Sequence, residues 1–134
     1  MTFKTQWLAY SISGSIALAS EVAWLIFGVL YEEGIFVFVT PILCFLAVVF
    51  LSLYLRKKPW AYRYSIHYAI GTGAIMAAFL GESTPYYGRY AVAMNIVEAG
   101  VLLSSAALLA VYFLPGIRAH FRAAANQQAA TKRP

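Results

Sequence analysis

The chain has 134 residues and a net charge of +5, with 62% hydrophobic and 11% charged residues and a mean hydropathy of +0.70. That is too little polar surface to cover a soluble domain of this length, so the composition predicts an all-α integral membrane protein. Aspartate is absent and Cys44 is the lone cysteine, which excludes a Ser-His-Asp hydrolase, a disulfide framework and a cysteine-based metal site.

A helix needs about 20 apolar residues to cross a hydrocarbon core of roughly 30 Å. Residues 7–30 supply the first such stretch. The opening "MTFK", the apolar run and Ala17-Leu18-Ala19 imitate a signal peptide. Cleavage after Ala19 would leave Glu21 beside a remnant too short to span, so the first helix is expected to be retained. Residues 34–55 follow as a second span, large and apolar all round in "IFVFVTPILCFLAVVFL", which suits lipid contact or a partner subunit, with Pro41 placed to bend it. Residues 62–80 and 90–114 give a third and a fourth. The expected architecture is therefore a four-transmembrane-helix bundle over residues 1–116. Residues 117–134 are expected to be a basic, polar cytoplasmic tail, amphipathic at its start and then mobile.

If the four helices alternate, Lys4, Arg56, Lys57, Lys58, Arg63, Arg118, Arg122, Lys132 and Arg133 fall on one side and only Arg89 on the other. The positive-inside rule then puts both termini in the cytoplasm. The opposite side receives Glu32, Glu33 and Glu82, with Tyr31, Tyr86, Tyr87 and Tyr90 at its boundary, while Trp7 and Trp60 mark the basic boundary. The positive charge is thus juxtamembrane, and no basic-aromatic module for nucleic acid is present. The bilayer is the expected partner, in a bacterial-type inner membrane or plasma membrane.

Shifting the chain by 58 residues lays "YSISGSIALAS" from Tyr10 on "YAIGTGAIMAA" from Tyr68, and Tyr54 on Tyr112, as two parallel helical hairpins would. Small residues crowd the first, third and fourth spans, which points to those three as the packed centre.

Glu21 lies about 13 Å below the far boundary, and Glu98, on a helix running the other way, reaches a similar depth. A charge there costs on the order of 3 kcal/mol unless it is paired, watered or protonated. Two carboxyls close together would form a coupled pair holding one proton. Asn95 stands one turn from Glu98, Thr72 passes at the same level, His67 and Tyr64 sit nearer the basic side, and Trp24 shares a face with Glu21. Glu21, Glu98, Asn95, His67, Trp24, Tyr64 and Thr72 are the candidate proton- and substrate-binding residues. Each also has a structural reading, as interhelical glue or a bond to its own backbone. No cofactor or metal is expected: His67 is the lone membrane imidazole, HExxH is absent, and "GTG" at Gly71 is too short to cradle phosphate.

The segment "SIALASEV" resembles the first-helix segment of the small multidrug-resistance transporters, and "AGVLL" from Ala99 is similar to a stretch of their last helix. That resemblance covers two short segments and implies a four-helix transporter with Glu21 as its coupling carboxylate. The chain departs from the pattern where the family's third-helix aromatic falls near His67, where a basic residue after the first-helix glutamate is missing, and where Glu98 is added. A second likeness, carried by "LSLYLRKKPWAYR", is to four-helix proteins linked to lipid-carried sugar translocation. Two functions follow as expectations: proton-coupled translocation of a small solute or lipid-linked group by a homo-oligomer, or a non-catalytic accessory or assembly subunit of a larger membrane complex.

Overall fold

The computed structural model describes residues 2–31, 36–79 and 91–132. Among these the chain is all-helical, with five helices: α1 Phe3–Tyr31, α2 Phe36–Leu55, α3 Pro59–Phe79, α4 Ala91–Tyr112 and α5 Pro115–Lys132. Two stretches, Phe3–Phe27 in α1 and Val92–Tyr112 in α4, are long and apolar enough to cross a membrane; Pro41–Leu55 in α2 is a shorter apolar run. The expected far-side groups Glu32, Glu33, Glu82, Tyr86, Tyr87, Arg89 and Tyr90 lie outside the described residues.

The helix ends follow from local chemistry. At the start of α1 the Thr5 N–H donates to Thr2 Oγ1 at 3.2 Å, an N-cap. Pro59 and Pro115 open α3 and α5 at the first helical position, where a missing N–H costs nothing. The α2 helix closes in a Schellman motif, with Lys58 N–H on Leu53 O at 3.2 Å and Lys57 N–H on Tyr54 O at 2.9 Å. Lys57 therefore takes φ 59°, the left-handed region that glycine prefers. A lysine serves there because its Nζ sits 4.3 Å from the Trp7 ring centroid, a cation–π contact that glycine would forfeit.

Four helices form a ring in which α1 packs broadly on α2 and α4, α3 packs broadly on α4, and α2 and α3 touch only thinly. The α1–α4 seam closes tightly at Gly100, where an added Cβ would lie 2.9 Å from Ser20 Oγ. The α2 helix is not peripheral to the core as its composition suggests: Cys44, Leu51 and Tyr54 are buried, while Ile42, Leu43, Phe45, Leu46 and Val49 face outward. The buried serines Ser13, Ser65, Ser104 and Ser105 donate to carbonyls of their own helices.

Tyrosines make the interhelical ties. Tyr10 Oη donates to Tyr54 O at 2.6 Å, and Tyr62 Oη donates to Tyr112 O at 2.8 Å, each reaching a carbonyl in the last turn of the neighbouring helix, where intrahelical partners run out. The same device thus staples α1 to α2 and α3 to α4. Ser13 and Ser65, each bonding the carbonyl of the tyrosine three residues earlier, repeat alongside it. This corrects the register expected from sequence: Tyr54 does correspond to Tyr112, but the partner of Tyr10 is Tyr62, not Tyr68. The paired tyrosines are 44 residues apart in one hairpin and 50 in the other, and a single uniform shift cannot align both ends.

The segment from Pro115 to Lys132 is α5, whose amphipathic first turns fold across the basic end of the ring. Ile117 and Phe121 are buried, and Gln6 Oε1 accepts the Gly116 N–H at 2.8 Å. The Phe121 ring lies 6.0 Å from Tyr10 and 4.2 Å from Tyr62, so Tyr54, Tyr10, Phe121, Tyr62 and Tyr112 form one continuous stack joining both hairpins.

Candidate binding crevice at Glu21

Where α2 and α3 touch thinly, a side-opening crevice of about 200 Å³ runs in from the surface, lined by Glu21 and Trp24 of α1, Cys44 of α2, and Tyr68 and Thr72 of α3, with Leu43, Ala47 and Ile75. Its walls are apolar, and its polar atoms converge on the floor. There the Glu21 carboxyl, on a residue only 2% exposed, accepts a hydrogen bond from Tyr68 Oη at 2.8 Å. The Cys44 thiol is a second hydrogen-bonding neighbour of that carboxyl.

Each wall is fixed by its own helix. Thr72 Oγ1 donates back to Tyr68 O at 2.6 Å, so its hydroxyl can meet a guest only as an acceptor. Tyr68 is held flat by stacking on Phe50 at 5.2 Å. One carboxyl, one phenol and an indole around a small apolar space suit a compact guest with an apolar coat and one positive or hydrogen-donating group.

Of the residues expected at the site, Glu21, Trp24 and Thr72 come together here. His67 and Tyr64 do not: both lie on the exposed outer face of α3, 5.8 Å apart between ring centroids. The reason is helical geometry, since residues one apart in sequence point about 100° apart around the axis, and it is Tyr68 that turns inward. Glu98, 6% exposed, lies on α4 near the level of Glu21, as the Ser20–Gly100 contact requires, but it does not line the crevice. Asn95, a turn away on α4, buries an amide oxygen that has no hydrogen-bond partner among the described residues.

Tyr68 and Cys44 belong to the crevice but were not singled out from sequence. A signal existed for each. Tyr68 stands one turn before Thr72, and between Pro41 and Leu51 only Cys44 has a side chain able to donate a hydrogen bond. The chain matches no family model, no curated protein and no solved structure.

Proposed function

We propose that the chain is a four-span membrane bundle, both termini cytoplasmic, that binds a small cationic or hydrogen-donating solute in the Glu21 crevice and exchanges a proton for it. The membrane reading is supported by an inverted distribution of polarity. Only 28% and 33% of the two long apolar stretches is buried, so most of their apolar side chains face outward, unlike those of a soluble core helix. Leu8, Ile12, Ile16 and Ile26 of α1 and Val92, Ile96 and Leu103 of α4 lie exposed, whereas Glu21, Glu98 and four serines are inside. Of the described basic residues, Lys4, Arg56, Lys57, Lys58, Arg63, Arg118 and Arg122 gather at the end where α5 crosses, which fits a cytoplasmic face.

The observation that carries the function is the Glu21 carboxyl at the floor of a crevice that opens sideways, toward lipid. An ionisable group at that depth is costly unless it does something, and here it has a guest-sized space in front of it. In the proposed exchange a cation entering between α2 and α3 takes the place of a proton on that carboxyl, with Trp24 and Tyr68 offering ring faces. The crevice holds little, and a homo-oligomer in a bacterial-type inner membrane would extend the path. The accessory-subunit reading is favoured by one observation, the apolar outer face of α2 beside the crevice mouth, which could seat a partner helix.

The test uses purified chain in lipid nanodiscs, weakly buffered, with a pH-sensitive dye. Tetraethylammonium should release protons from the wild type and not from Glu21→Gln, with Glu98→Gln releasing as the wild type does. No release from folded wild type over a series of small amines would favour the subunit reading.

A further inference from the structure

A second cavity, of about 220 Å³, opens on the outer surface of the α3–α4 seam, between Ala69, Ile70, Gly73 and Ala74 on one side and Leu102, Ser105, Ala106 and Leu109 on the other. It is almost wholly apolar and no function described above uses it. Its basic end is built differently. Just past the end of α4, Phe113 follows Leu109 by four residues and is 52% exposed, and the Arg118 guanidinium lies 5.9 Å from its ring centroid. Arg122 follows Arg118 by one turn of α5, both are exposed, and both guanidinium charges act on the neighbouring Tyr62 hydroxyl. On α3, Arg63 shares a face with Ile70 and Ala74, at seven and eleven residues' separation, and is also exposed.

Two independent features thus share one line along the molecule: an apolar groove, and three arginines below its basic end with no described acidic residue among them. At 1.5 Å per residue, Arg63 lies about 10 Å below Ile70, close to the span from a lipid's phosphate to its upper acyl carbons. We infer that the α3–α4 seam is a binding site for one anionic glycerophospholipid, its phosphate on Arg118, Arg122 and Arg63 and one acyl chain in the groove. Guanidinium forks match phosphate oxygens, and the anionic headgroup supplies the opposite charge where the helix bundle supplies only positive charge. The neutral zwitterionic lipids fit the groove equally well but lack the net charge. The small side chains at Gly73, Ala74 and Ala106 give the chain depth, and the Arg118–Phe113 contact fixes the head beneath it.

This inference rests on the membrane reading proposed above, and its test separates the two. The full chain is reconstituted in vesicles of phosphatidylcholine and phosphatidylglycerol, extracted in mild detergent, and weighed by native mass spectrometry. Wild type should retain one phosphatidylglycerol in preference to phosphatidylcholine. Arg118→Gln with Arg122→Gln should lower that retention at least about tenfold, since each cation near an anionic headgroup is worth about fivefold. Ala106→Phe, which fills the groove and leaves every arginine in place, should lower it as well, while Lys4→Gln with Lys57→Gln, on the α1–α2 side, should leave it within about twofold. Equal retention of both lipids by wild type, or retention indifferent to Ala106→Phe, overturns the site while leaving the membrane reading intact. A chain that alkaline carbonate strips from the vesicles overturns both.

Discussion

At the scale of single residues, the crevice depends on one hydrogen bond and on a few close approaches. Tyr68→Phe keeps the ring and its stack on Phe50 but deletes the donor to Glu21. Hydrogen bonds between membrane helices are worth about 0.6 kcal/mol, at most about 1.7. Tetraethylammonium affinity, followed by proton release, should therefore fall about three- to fifteenfold. Glycines give a sharper contrast. A Cβ on Gly14 would meet Leu55 Cδ2 at 2.7 Å and Tyr54 Cε1 at 3.0 Å, and the Tyr54 ring is 1% exposed and stacked on Tyr10, so it cannot yield. Gly14→Ala should destabilise by about 1–3 kcal/mol. Gly71→Ala, with nothing within 4 Å, should be neutral or slightly stabilising, both read as melting shifts in one detergent. The buried carboxylate was legible in the sequence because Glu21 interrupts an apolar run. Its partner was not, because α3 carries apolar and aromatic residues on every face, and nothing in such a pattern says whether His67 or Tyr68 turns inward.

Among the helices, α5 departs most from what its composition suggests. Its alanines, arginines and amides read as a polar tail, and only Ile117 and Phe121, one turn apart, carry it into the core. The rings that receive Phe121 come from Tyr10 and Tyr62, far away in sequence, so no local pattern could announce the contact. Phe121→Ala should remove the centre of the five-ring stack and cost about 3 kcal/mol, lowering the melting temperature. It should also free α5 enough that trypsin cuts after Arg118 and Arg122 faster than in the wild type, as gel electrophoresis would show. A uniform shift of 58 residues aligns Tyr54 with Tyr112 but not Tyr10 with Tyr62, the two donors of the tyrosine staple. Both hairpins keep the same device at the basic end but differ by six residues in the spacing of its members.

For the whole molecule, the decisive feature is an unequal ring. The α1–α4 seam is shut against Gly100, the α2–α3 seam is thin, and Glu21 stands behind the thin one. Composition and charge placement foretold helices and a basic end, since both depend only on which residues occur and where. The unequal seams depend on packing between distant segments, which no local pattern carries. In the proposed exchange the Glu21 carboxyl, and not Glu98, gains and loses the proton. Infrared difference spectroscopy of the reconstituted chain, recorded with and without tetraethylammonium, tests it directly. Binding should abolish a protonated-carboxyl C=O band that is missing from Glu21→Gln and retained by Glu98→Gln. A difference spectrum with no carboxyl band, or a band that disappears in Glu98→Gln instead, would contradict the account.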